Sequence, residues 1–251
     1  CSSLESINIP EGVTSIEGYA FYGCDSLKSI NIPEGVTSIG SDAIPLSTII
    51  YVKADSEGHR WVEENEQGYI LNGDAVEIST NHEIKEEEMW DISENGDGSV
   101  IAKWTLKDRT LTISGTGKIR NWDSSSKEDW HNTQYTNAIE SVVICEGITN
   151  IGDYAFDQCS NLKNIEIAED VTRIGYVVFQ GCSSLESINI PEGVTSIEGY
   201  AFYGCDSLKS INIPESITRI GSEAFSGCSK LENIILPEGL IEIDRSAFSW
   251  C

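Results

Sequence analysis

Positive charge is scarce in this 251-residue chain: 16 Lys and Arg stand against 41 Asp and Glu, for a formal net charge of −25. Phosphates would be repelled rather than neutralised, so nucleic acid and anionic membrane are excluded as partners. No run of about 18 apolar residues occurs, so membrane insertion is not expected. Histidine is limited to His59, His82 and His131. They lie at no metal-ligating spacing and accompany no G-x-S-x-G elbow, and are read as solvated surface residues. The eight cysteines include no C-x-x-C pair, the spacing that zinc needs. No catalytic residue, metal ligand or cofactor is therefore expected. The chain opens at Cys1 without a starting Met and shows no signal peptide. It is expected to be a piece of a longer protein whose targeting elements lie elsewhere.

What is present is repetition. Cys1–Glu34 recurs verbatim as Cys182–Glu215. Lines of 23 residues begin at Leu4, Leu27, Ile139, Leu162, Leu185, Leu208 and Leu231 and share L-x-x-I-x-I-P-E-G-V-T-x-I-G-x-x-A-F-x-G-C-x-x. Such a period announces a stacked-repeat architecture. In the first line Ile7 and Ile9 have strand spacing with both side chains inward. Pro10-Glu11-Gly12 turns the chain, Val13 and Ile16 carry a second short extended segment, and Ala20 and Phe21 close the coil through a tight turn. One line cannot bury enough apolar surface to offset the entropy of ordering it. Only stacking, which covers both faces of each coil, tips that balance. On this reading any coil accepts an identical neighbour, and Phe156, Phe179, Phe202, Phe225 and Phe248 should line up in one spine.

These lines resemble the BspA-type (Treponema-like) leucine-rich repeats of bacterial cell-surface proteins. The resemblance implies a right-handed, β-rich leucine-rich-repeat solenoid with a parallel sheet on its concave side and short 3₁₀ or turn segments opposite. Residues 50–138 lack the period. Within 50–79, HRWVEENEQGYIL reads as a short helix with Trp61 and Val62 inward, then a strand through Tyr69, Ile70 and Leu71; it resembles the α/β C-terminal cap of the family. Residues 80–88 are acidic and read as linker. In 89–138 the alternating Thr110-Leu111-Thr112-Ile113-Ser114-Gly115 reads as a hairpin strand, and the block resembles the β-rich N-terminal cap. The expected organisation is two repeats (1–49) and a C-terminal cap (50–79) of one solenoid, a linker (80–88), then an N-terminal cap (89–138) and five repeats (139–251) of another. Coil ends that expose an apolar face and free strand edges are expected to self-associate head to tail.

Cysteine recurs every 23 residues from Cys159 to Cys251. Equivalent side chains in an in-register stack point the same way about 4.8 Å apart, poor geometry for a disulfide, so buried thiols acting as small hydrophobes are expected. The stretch from Asp91 to Ser99 resembles a calcium loop but has Ala102 where a bidentate Glu belongs; a Gly-rich turn explains it as well. Tyr22 and Tyr203 share a column with Asp157, Gln180, Ser226 and Ser249, so no aromatic stripe for sugars is expected. Arg173 and Arg219 read as isolated positive spots.

The outward positions of the first strand of each line remain as candidate ligand-binding residues: Asn164, Glu166, Asn189, Asn212 and Asn233, in columns with Ser141, Val143, Ser187, Ser210 and Ile235. Small polar residues also simply hydrogen-bond along a ladder, and this face has no Trp, Tyr or Arg, the residues favoured at interaction hot spots. The family resemblance implies an adhesin-like, secreted or cell-surface module that binds a host or neighbouring-cell protein or glycan. A passive spacer, or an accessory segment of a larger secreted protein, is the alternative.

Overall fold

The computed structural model describes the chain except for residues 1–3, 5, 23, 25–26, 46–47, 65–68, 72–85, 126–128 and 132, and the side chains of 69–71 and 133–134. The chain divides into two compact units, the first comprising Cys1–Lys85 with Thr133–Ala138, the second Glu86–Asn132 with Ile139–Cys251.

In the first unit each rung contributes two short strands: β1 (Ser6–Asn8) and β2 (Ser15–Ile16), then β3 (Ser29–Asn31) and β4 (Ser38–Ile39). They pair in parallel at the repeat spacing, Ile7 opposite Ile30 and Ile16 opposite Ile39. The β-branched residues suit this half-buried pleated surface. β5 (Ile49–Val52) adds to β3 with Ile30 opposite Ile50, three residues short of the period, and β6 (Tyr69–Leu71) adds to β5. Between them lies helix α1 (Glu57–Glu64), which buries Gly58, His59, Trp61 and Val62 and packs on β4 and β5. A second helix, α2, spans Thr133–Ala138.

The second unit opens with an antiparallel meander, β7 (Glu87–Asp91), β8 (Val100–Thr105) and β9 (Thr110–Gly115), in which Trp104 stands opposite Leu111. β7 thus begins inside the acidic stretch expected to be linker. The short β10 (Gly117–Lys118) follows. The rungs then supply β11 (Ser141–Ile144), β12 (Ile148–Ile151), β13 (Asn164–Ile167), β14 (Arg173–Ile174), β15 (Ser187–Asn189), β16 (Ser196–Ile197), β17 (Ser210–Asn212), β18 (Arg219–Ile220) and β19 (Glu242–Ile243). Parallel pairing runs β9 to β11 to β13, with Leu111 opposite Val142 and Val142 opposite Ile165. β15–β17 and β16–β18–β19 keep the spacing of 23.

The phenylalanines form the expected spine. Successive ring centroids from Phe156 through Phe179, Phe202 and Phe225 to Phe248 lie 5.5, 5.4, 5.3 and 5.2 Å apart, and Trp130 stacks on Phe156 at 6.0 Å. Backbone bonds join the rungs behind it, Phe179 N to Ala201 O at 2.9 Å and Phe202 N to Ala224 O at 2.8 Å. The residue two before each phenylalanine sits in left-handed backbone: Tyr154, Val177, Tyr200, Glu223 and Ser246 have φ of 55 to 61°. Its amide reaches the next rung, as in Tyr200 N to Ser222 O at 3.0 Å, and these bonds hold an otherwise unfavourable conformation.

Two expectations fail in the outer rungs. Leu231–Pro237 form no strand, so the fifth repeat supplies only β19. Ile7 is 36% exposed although Ile188, in the same sequence, is 3% exposed. The inward spacing is real, but burial comes from a rung on both sides.

Candidate functional site

The strand face carries the candidate ligand-binding residues. In-register pairing places Val143 beside Glu166, and Asn189 beside Asn212, in columns perpendicular to the strands. Asn164, Glu166, Asn189 and Asn212 are all exposed on β13, β15 and β17. Asn233 is exposed too but lies outside any strand, so it does not extend the ladder. A hollow lies at its β11–β13 end. There Val143, Ile144, Cys145, Glu146, Glu166, Ile167 and Ala168 line an open hollow of about 500 Å³. Cys145 and Ala168 occupy the slot that holds Pro10, Pro33, Pro191, Pro214 and Pro237 in other lines. The hollow is therefore specific to these two rungs, with apolar walls and carboxylates at its rim.

Ion pairs flank this face. Glu140 receives Arg109 at 2.7 Å on one carboxylate oxygen and Lys163 on the other. Partial burial works against its charged form, but the two cations outweigh it and hold the Glu140 carboxyl below its usual range. Arg173 and Arg219, expected to be isolated, are paired: Arg173 bonds Asp153 at 2.6 Å, and Arg219 lies between Glu198, Glu242 and Asp244. Asp153, Glu198 and Asp244 sit at other columns of the neighbouring rungs, where comparison along one column does not find them, whereas Glu242 stands opposite Arg219 in the same column.

An aromatic stripe also forms where none was expected. Tyr154, Tyr176, Tyr200 and Tyr203 follow one another with centroids 5.8, 5.8 and 5.7 Å apart, mostly edge to face, and Tyr200 donates its hydroxyl proton to Glu223 at 2.9 Å. Tyr176 and Tyr203 are each 39% exposed. Comparing one column at a time misses the stripe, because its members occupy three different columns.

The remaining candidates are structural. His59 is buried, its Nδ1 accepting from Asp55 N at 3.1 Å. His131 is half-buried, stacks on Trp122 at 4.5 Å and donates from Nε2 to Tyr154 O at 2.9 Å. Both correct the expectation of solvated histidines, because an imidazole packs like a small aromatic once one nitrogen is satisfied; His82 lies outside the described residues. In the loop resembling a calcium site, Asp91 Oδ1 accepts from the Ser93 amide at 3.0 Å and hydroxyl at 2.6 Å, and Oδ2 from Gly98 N at 3.0 Å. The bonds from Ser93 lead in holding the Asp91 carboxyl below its usual range. With Gly96 and Gly98 at φ of 66 and 74°, this is a Gly-rich turn that satisfies its own acid.

A family model for the BspA type Leucine rich repeat region, in 6 copies, matches residues 1–65 and 131–251. Among solved structures, the leucine-rich repeat protein of T. pallidum is similar at 25% identity over 61% of this chain and 65% of its own, with a TM-score of 0.44. A leucine-rich cell surface protein of Faecalibacterium prausnitzii A2-165 matches at 25% identity over 100% of this chain and 64% of its own, TM-score 0.42. The pneumococcal vaccine antigen PcpA matches at 21% identity over 97% and 55%, TM-score 0.40. The chain thus spans less than two thirds of the length of each of these three proteins. Among curated proteins, none matches it significantly.

Proposed function

Since the chain belongs to the BspA-type leucine-rich repeat family, we propose that it is a non-enzymatic, cell-surface interaction module whose strand face binds a protein or glycan partner. The observation that carries this reading is the hollow over Val143, Cys145 and Ala168, rimmed by Glu146 and Glu166. It is built from departures from the repeat, and a face used for recognition must differ between rungs. Glu166, Asn189 and Asn212 continue it along the ladder, and its acidity suits a partner with exposed cations or sugar hydroxyls. The meander β7–β9 and helix α1 serve as caps in this reading: each lays buried aromatic or aliphatic side chains on a terminal strand of its own unit. The organisation into 1–49, 50–79, 80–88, 89–138 and 139–251 is proposed on the same basis.

Immobilised chain, tested against extracellular-matrix proteins and a glycan array, should capture a partner at micromolar concentration. The triple variant Glu166→Lys, Asn189→Lys, Asn212→Lys should lose at least tenfold in affinity while its melting temperature holds. A partner that binds the variant equally well would remove the strand face from the account. Silence across the panel would favour the passive spacer, a reading to which the verbatim copy of Cys1–Glu34 lends support.

A further inference from the structure

A second surface of the repeat unit lies on the turns beside the phenylalanine spine, not on the strands. On three successive rungs the residue two before the spine phenylalanine and the residue just after it are Tyr154 and Asp157, Val177 and Gln180, and Tyr200 and Tyr203. Tyr176, next to Val177, supplies the ring of the middle rung, so Tyr154, Tyr176, Tyr200 and Tyr203 run on without a break. Tyr176 and Tyr203 are exposed, Tyr154 and Tyr200 half-buried. The next rung ends the stripe, with Ser222, Glu223 and Ser226 at the same columns.

The rings are fixed in place by the fold. Tyr176 donates its amide to Asp153 Oδ1 at 2.9 Å. A Cβ at Gly199 would stand 3.2 Å from Tyr176 Cε2, so the ring rests against bare backbone of the following rung. Tyr200 is held through its hydroxyl by Glu223 at 2.9 Å. Aromatic side chains ordered in this way lose little entropy when a ligand covers them. Gln180 and Asp157 precede Tyr203 in its own column, one and two rungs away. Asp157 accepts from Gln158 Nε2 at 3.1 Å and is bonded by Gln180. A carboxylate has about four acceptor sites, so Asp157 keeps capacity for a further donor.

This chemistry discriminates among occupants. An anionic chain meets the carboxylates and a net charge of −25. A cationic peptide finds little free charge, because Asp153 is paired with Arg173 and Glu198 stands beside Arg219. A proline-rich peptide offers carbonyl acceptors and few N–H donors, whereas the Tyr200 hydroxyl is already committed to Glu223. A neutral sugar chain fits on both counts: its C–H faces suit the electron-rich faces of the rings, and its hydroxyls donate to acceptors. We propose that the tyrosine stripe is a binding site for a neutral polysaccharide, with pyranose rings stacked on Tyr176 and Tyr203 and hydroxyls donating to Asp157 and Gln180.

Electrophoresis through native gels cast with polysaccharide tests this, retardation being read against a gel without it. The gels contain hydroxyethyl cellulose, xyloglucan, galactomannan, soluble starch or heparin. At least one neutral polysaccharide should retard the native chain, and heparin should not. Tyr176→Ala with Tyr203→Ala should lose about tenfold or more in affinity, while Tyr176→Phe with Tyr203→Phe, which keeps both ring faces, should retain most of it. The strand-face variant Glu166→Lys, Asn189→Lys, Asn212→Lys should bind the polysaccharide as the native chain does, so this outcome and that of the strand-face reading are separable. Retardation by none of the neutral polysaccharides, equal retardation by heparin, an alanine variant that binds as well as the native chain, or loss of binding in the strand-face variant would each overturn the proposal. So would a polyproline peptide that binds more tightly than any of the glycans and is lost in the alanine variant.

Discussion

The thiols of Cys182, Cys205, Cys228 and Cys251 each donate to the carbonyl of the phenylalanine twenty-six residues earlier, at 3.2 to 3.3 Å. The column therefore does more than fill space, because each thiol is a second donor to a carbonyl that already accepts the amide of the cysteine three residues after it. Cysteine at every 23rd residue and its burial were legible in the sequence. The donor role was not, since it depends on which carbonyl the neighbouring rung presents. Cys205→Ala removes both the bond and the sulfur, and should cost about 1–2 kcal/mol in urea unfolding. Native chain treated with a thiol reagent should modify Cys145 and Cys251 and spare Cys159, Cys182, Cys205 and Cys228, which are buried. Burial pushes the Cys228 thiol up to about 12 from an ordinary value of 9.0. Between those limits the unfolded thiol ionises while the folded one keeps its proton, so stability falls as pH rises from about 9. Thermal melts across pH 8 to 11 should show a plateau followed by a decline.

At the scale of the rung, the verbatim copies act as an internal control. Phe21 is half-buried and Phe202 fully buried, although eighteen residues around each are identical, from Ile7 to Cys24 and from Ile188 to Cys205. The difference lies in the neighbours: Phe202 stacks between Phe179 and Phe225, whereas the rung after Phe21 has Ile44 in that place, which supports the view that a line of 23 residues gains its core from the adjoining ones. Phe202→Ala should therefore cost about 3–5 kcal/mol, and Phe248→Ala, at the half-buried end of the spine, clearly less; chemical denaturation of both decides it. Gly175→Ala probes the close approach of rungs: the added Cβ meets the Gly152 carbonyl at 2.6 Å, and a loss of about 1–3 kcal/mol is expected from the forced shift. Strand, turn and spine were readable from the period because each is a local consequence of spacing. The missing strand at Leu231–Pro237 and the tyrosine stripe were not. The second turns on contacts between different columns.

At the scale of the molecule, two electrostatic effects of opposite sign compete. A net charge of −25 makes the chain repel itself over distances that salt screens easily. The alternating pairs, such as Arg109 with Glu140 at 2.7 Å and Lys209 with Glu186 at 2.8 Å, act at contact. Those on the surface are worth only about 0.2–1 kcal/mol each. The second position of every line alternates between Glu and Lys, but an average over composition conceals it: overall acidity says only which partners are repelled, whereas the order of charges along a column says which neighbouring side chains attract. Since repulsion among many unpaired acids is long in range and the pairs are few, moderate salt should stabilise the fold. Melting temperature is expected to rise by several degrees between 10 and 300 mM NaCl. Should it fall instead, the contact pairs outweigh the net charge, and neutralising Lys163 or Lys209 would become more damaging than their exposure suggests. Lys209→Gln, melted at both salt concentrations, separates the cases: under the expected balance its loss is small and shrinks further at 300 mM, because only the neighbouring Glu186 and Glu232 are left to repel one another.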